Sequence, residues 1–167
     1  VVNFSGHGAA GALQYLFSSE YPDWDYLSQV RNGRRLPLML ALSCLNGNFA
    51  DPQIEGLSEL LTEAPNGGAI AYISATAISF TSQNNLLAEG LYRQLFSEDR
   101  LQFGPVLDVA KARLLAAHPG WVDVAETMQL LGDPAQRLAL PPAADYAAVG
   151  LAVDADPVLV GATVRLS

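Results

Sequence analysis

Three short apolar runs, at residues 1–5, 36–43 and 69–74, are rich in strand-forming side chains and end in small or polar residues. Each is too brief for a typical helix, so each predicts a buried strand. The segments between and after them carry helical spacing instead. Leu57, Leu60 and Leu61 form one set, and Leu86, Leu87, Leu91, Leu95 and Phe96 a second. Val106, Leu107, Ala110, Leu114 and Leu115 form a third, with Pro105 suited to its first turn. Strands alternating with helices predict an α/β fold: a mostly parallel sheet covered by helices on both faces.

A further strand is expected at residues 128–131, stopped by the turn Gly132-Asp133-Pro134, and residues 136–140 continue in extended form up to Pro141-Pro142. The pattern then changes. Val149, Leu151 and Val153 alternate with other residues, as do Val164 and Leu166, with Asp154-Ala155-Asp156-Pro157 and Gly161 as turn chemistry between them. Residues 1–141 therefore read as part of an α/β domain, and residues 142–167 as the first two strands of a separate, incomplete β-sandwich. No internal repeat is present.

Composition narrows the classes. A chain of 167 residues that is 50% hydrophobic can bury a sizeable core and is not disordered. No apolar run approaches the roughly 18 residues of a membrane-spanning helix. The formal charge of −8 comes with no basic cluster beyond Arg31, Arg34 and Arg35, so nucleic acid is not an expected partner. Beginning directly in a core strand, the chain reads as a piece of a longer protein. Its single cysteine, Cys44, must carry any thiol chemistry.

Two blocks share one arrangement, a hydrophobic strand running straight into a reactive residue. One is Val1-Val2-Asn3-Phe4-Ser5-Gly6-His7-Gly8, and the other is Leu38-Met39-Leu40-Ala41-Leu42-Ser43-Cys44. In an open parallel sheet the loops after the strands emerge along one edge, where ligands bind. If the two strands are neighbours, His7 and Cys44 meet there. A thiolate is the attacking species of a cysteine nucleophile, and imidazole, with an unperturbed pKa of about 6.5, is suited to activate it or serve the leaving group. Glycines on both sides of His7 allow close backbone approach. The N–H groups of Gly8 and Cys44 can then face a developing oxyanion. Taken singly, a cysteine at a strand end is an ordinary small core residue and a histidine an ordinary loop residue; the pair placed alike after two strands favours chemistry. The other histidine, His118, precedes Pro119 at the end of an expected helix and suits an interaction with its dipole.

Four stretches together carry a resemblance: Phe4-Ser5-Gly6-His7-Gly8, Ala41-Leu42-Ser43-Cys44-Leu45-Asn46-Gly47-Asn48-Phe49, Gly67-Gly68-Ala69-Ile70-Ala71-Tyr72 and Leu131-Gly132-Asp133-Pro134. They resemble the gingipain family of cysteine peptidases, in the caspase-like clan, over about residues 1–140. The resemblance implies a caspase-like three-layer sandwich, a His7–Cys44 catalytic dyad and an oxyanion hole from the backbone of Gly8 and Cys44. It also implies protein or peptide substrates, no cofactor and no metal, and a secreted or cell-surface location. The chain departs from the caspases proper: Leu42-Ser43-Cys44 stands where they have Gln-Ala-Cys, and 37 positions separate the dyad where they have about 50. The residues after position 142 are similar in place to the immunoglobulin-like domain of gingipains.

The segment leaving the third strand at the same edge, residues 75–82, is expected to border the substrate groove, with its small residues Ala75, Thr76, Ala77 and Ser79 leaving room for a side chain. Asn46, Asn48, Asp51 and Glu55 have the oxygen atoms of a calcium loop, but Gly47 and Pro52 stand in the wrong places, so a polar loop is expected. Ser5 lies in no nucleophile elbow, and Gly132-Asp133-Pro134 lacks the Gly-rich run and Lys of a phosphate loop. Two other functions share this pattern. One is a transpeptidase of the same fold acting in protein secretion. The other is a non-catalytic α/β module of a surface or adhesive protein.

Overall fold

Residues 38–42 have no polar side chain to turn toward water, and they form a strand buried on both faces. Around it the computed structural model describes residues 1–14, 17–18, 29–96 and 102–139. In chain order the elements are β1 (Val2–Ser5), three two-residue strands β2 (Gly8–Ala9), β3 (Ala12–Leu13) and β4 (Phe17–Ser18), then β5 (Leu38–Leu42) and α1 (Leu57–Thr62). They continue with β6 (Ala71–Ala75), α2 (Thr81–Leu95), α3 (Phe103–Ala117), α4 (Val122–Thr127) and β7 (Met128–Gly132).

The main sheet has the order β1-β5-β6-β7. β1 and β6 both run parallel to β5, while β7 returns antiparallel to β6. Alternation along the strands sorts the core into two halves. Leu38, Leu40 and Leu42 join Ala71, Ile73 and Ala75 under α2, α3 and α4. Met39, Ala41 and Tyr72 face the other way, against Leu57 and Leu61 of α1. The result is the expected α/β sandwich of helix, sheet and helix. Leu87, Leu91 and Leu114 are essentially inaccessible to solvent, and each such side chain stabilises the fold by roughly 1.5–3 kcal/mol.

The expected strands and helices are present, with Pro105 in the first turn of α3. However, β1, expected to be buried, is an edge strand with Val2, Asn3 and Ser5 exposed, since among the described residues only β5 pairs with it. Two features are additional. The β2-β3-β4 ribbon forms a separate antiparallel sheet, and α4 fills the stretch before β7. At Gly132-Asp133-Pro134, the Asp133 side chain accepts from Ala135 N at 2.8 Å and its carbonyl from Gln136 N at 3.1 Å, a structural turn. The extended stretch after it makes one antiparallel bridge, Gln102 with Arg137. His118 caps α3 and stacks on Trp121, ring centroids 3.9 Å apart. The expected β-sandwich at residues 142–167 lies outside the described residues.

Candidate active site

Parallel pairing of β1 with β5 sets Ser5 opposite Leu42. Two positions beyond each lie His7 and Cys44, so equal offsets from one register bring both to the carboxyl edge of the sheet. There they line a single groove of about 350 Å³, together with Ser5, Gly6, Leu42, Ser43, Ser79, Phe80, Thr81 and Asn84. His7 is exposed and Cys44 half-buried.

β6, the other neighbour of β5, supplies the opposite wall. Ser79 N–H points at Cys44 Sγ from 3.4 Å, and the thiol lies 3.4 Å from the Ser79 carbonyl oxygen. Thr81 begins α2, whose N-terminus adds positive potential to this end of the groove. Asn84, only 3% exposed, donates from Nδ2 to Ser79 Oγ at 2.9 Å and braces the wall.

The turn after Cys44 is tightly bent. Leu45 has φ 63°, the only non-glycine residue with positive φ among those described. A bulky side chain is unfavourable in that region and persists only where neighbours enforce it. Three hydrogen bonds do so: Leu45 N to Ala77 O at 3.1 Å, Gly47 N to Ala75 O at 3.0 Å and Asn48 N to Leu45 O at 3.0 Å. On the other side, Gly8 lies so close that an added Cβ would stand 2.7 Å from Ser43 Oγ and 2.9 Å from the Cys44 carbonyl oxygen.

Beneath the groove Asn46 is fully buried. Its Oδ1 accepts from Ser43 Oγ at 2.7 Å, and its Nδ2 donates to the carbonyls of Ala12, at 2.8 Å, and Ala9. The loop read for calcium is thus a polar loop: Asn46 is committed to these bonds, Asn48 Oδ1 accepts from Ala50 N and Asp51 Oδ1 from Gln53 N. Among the described residues no cluster of three His, Cys, Asp or Glu could hold a metal ion.

Of the segment after β6, Ser79, Phe80 and Thr81 reach the groove. Ala75 is instead fully buried in the strand, and Thr76 is held by its N–H and hydroxyl to Thr127 O, at 2.9 and 3.1 Å. Those two do not wall the groove, because the chain needs several more residues to clear the sheet. A larger hollow of about 470 Å³, floored by Val2, Met39 and Leu61, lies at the amino ends of the strands, away from His7 and Cys44.

The α/β sandwich thus carries a thiol and an imidazole on one groove at the carboxyl edge of its sheet. The model of peptidase family C25 matches residues 1–139, and the chain belongs to that family. No curated protein matches the sequence. Among solved structures, the crystal structure of the Arg-specific cysteine proteinase gingipain R (RgpB) is similar at TM-score 0.69 and 21% identity, over 80% of this chain and 32% of that one. The complex of the Porphyromonas gingivalis RgpB pro- and mature domains is similar at TM-score 0.70 and 21% identity, again over 80% and 32%. A structure titled only as a protease gives TM-score 0.68 at 18% identity, over 81% and 34%. The chain thus spans about a third of the chains it resembles, and the likeness is one of fold.

Proposed function

We propose that the protein is a cysteine endopeptidase, with Cys44 as nucleophile and His7 as general base and acid. The observation that carries this reading is the shared groove: His7 and Cys44 both line it at the carboxyl edge, with a Ser79 N–H directed at the sulfur. His7 takes the thiol proton as Sγ attacks the peptide carbonyl carbon. The N–H groups of Gly8 and Cys44 receive the oxyanion of the tetrahedral intermediate. Collapse breaks the C–N bond, His7 gives its proton to the leaving amine, and a thioester remains on Cys44. Water, deprotonated by His7, then attacks the thioester; the carboxylic acid leaves and the thiol is restored.

Substrates on this reading are proteins or peptides, met outside the cell or at its surface as the family resemblance implies. The Arg specificity named for gingipain R is not carried over. Among the described residues the groove offers hydroxyls, an amide and the Phe80 ring but no carboxylate to pair a guanidinium. The test is cleavage of a mixed peptide library by the mature full-length protein and by its C44A and H7A variants. Cleavage should vanish in Cys44→Ala and fall about 10²-fold or more in His7→Ala. Unchanged cleavage in Cys44→Ala would remove the nucleophile, and none by wild type would reject the peptidase reading.

A further inference from the structure

The turn that carries Cys44 and the ribbon that carries Gly8 belong to different sheets, yet one buried side chain ties them together. Asn46 is 0% exposed and Ser43 1%. Both amide hydrogens of Asn46 are used within the β2–β3 hairpin, on the carbonyls of Ala9 and Ala12, and its oxygen accepts from Ser43, the residue before Cys44. Backbone bonds extend the same tie: Ser58 N donates to Asn46 O at 3.3 Å, and Leu57 N to Ala10 O at 2.7 Å, so the start of α1 holds both pieces. A hydrophobic side chain would fill the space but could not bond three partners on two elements. A carboxylate would set its oxygens against two carbonyl oxygens. Only a carboxamide has two donors and an acceptor in this arrangement.

We infer that Asn46 is a positioning residue that sets the distance between the Gly8 and Cys44 N–H groups, and so the fit of the oxyanion hole. This inference rests on the peptidase reading. Catalytic hydrogen bonds to an oxyanion require donors held about 2.7–3.1 Å from where the oxygen arrives, and loss of one such donor costs about 10²–10³-fold in kcat. An error in placement should cost less. The hairpin has only two-residue strands, so its own ladder is too short to fix that placement.

The experiment separates chemistry that develops an oxyanion from chemistry that does not. In the mature full-length protein, Asn46→Asp, Asn46→Ala and Ser43→Ala are compared with wild type in four measurements. These are steady-state cleavage of the best library peptide, inhibition by the aldehyde of that peptide, alkylation of Cys44 by iodoacetamide, and thermal unfolding. Aldehyde addition places an oxyanion in the hole; alkylation displaces iodide at a saturated carbon and places none. Both Asn46 variants should lose about 10–100-fold in kcat with KM changed less than about 3-fold, and lose aldehyde affinity by a similar factor. Their alkylation rates should stay within about 3-fold of wild type. Ser43→Ala leaves the Nδ2 bonds in place and should lose about 3–10-fold in kcat, which decides the matter if the Asn46 variants do not fold. An unchanged kcat, or alkylation that falls in step with kcat, would overturn the inference, since the network would then be idle or would support the thiol itself. Absence of wild-type cleavage would instead reject the peptidase reading, and the inference with it.

Discussion

The sulfur of Cys44 and the backbone of Ser79, 35 positions apart in the chain, lie within 3.4 Å of each other. They meet because β5 and β6 are adjacent and parallel, so that the segments leaving both strands travel together beyond the sheet. Phe80 follows Ser79 on the groove wall and is 57% exposed, a large apolar ring that no other side chain covers well. A substrate side chain lying against it would bury that face. Phe80→Ala should therefore raise KM about 5–20-fold for the best cleaved peptide, with kcat within about 3-fold. Steady-state kinetics checks this, and thermal unfolding should show little change for so exposed a position.

Gly8→Ala tests how closely the ribbon approaches the nucleophile turn. The new Cβ would stand 2.7 Å from Ser43 Oγ and 2.9 Å from the Cys44 carbonyl oxygen, and the second contact is with backbone that cannot rotate away. The ribbon must shift, which should destabilise the protein by about 1–3 kcal/mol and lower kcat more than it raises KM. Urea unfolding and steady-state kinetics read the two effects separately. A variant with wild-type kcat would show that Gly8 takes no part in the chemistry.

Tyr72 provides a test of the core. Its ring is fully buried beside Met39 and Leu57, its hydroxyl has no hydrogen-bond partner among the described residues, and burial pushes its phenol pKa up. A folded-state pKa above the unfolded value of about 10 leaves stability unaffected below that pH. Above it the unfolded chain loses the proton first, and stability falls as pH rises. Tyr72→Phe should match or exceed wild-type stability at pH 7, by up to about 1–3 kcal/mol, since it removes an unpaired buried polar group. It should also weaken the alkaline loss. Urea midpoints at pH 7 and above pH 10 check both expectations.

The parts of this molecule that were legible in the sequence are those in which one long pattern sets the geometry. Runs at residues 36–43 and 69–74 could only be buried strands, and a parallel sheet then places whatever follows them on one edge. The same pattern predicts that His7 and Cys44 share one groove. The β2-β3-β4 ribbon was not legible, because strands of two residues are too short to show alternation. Nor was α4, whose six residues include two valines and end in threonine, poor helix formers held in place by tertiary packing. The sequence marks Asn46 as part of the stretch after Cys44 that carries the resemblance and as a polar loop residue, not as a buried tie. Its burial depends on the ribbon closing over it, and the one signal in the sequence is an amide two positions after the cysteine and beside a glycine, Gly47. Of the segment 75–82, expected on the groove wall because it leaves a parallel strand at the same edge, Ser79, Phe80 and Thr81 line the groove, whereas Ala75 and Thr76 stay with the sheet.

Catalysis by this groove requires Cys44 to form a covalent acyl intermediate with its substrate. An activated ester of a cleaved library peptide, mixed with mature full-length protein, acid-quenched within milliseconds and digested, allows the acyl group to be located by mass spectrometry. Acylation of such an ester is fast, so a burst of alcohol release should accompany one acyl group per molecule, attached to the peptide that contains Cys44. Neutral hydroxylamine should cleave the thioester, releasing the acyl group as its hydroxamate and freeing the thiol, and Cys44→Ala should show neither burst nor adduct. An acyl group found on any other residue, or a burst that survives in Cys44→Ala, would exclude Cys44 as the nucleophile.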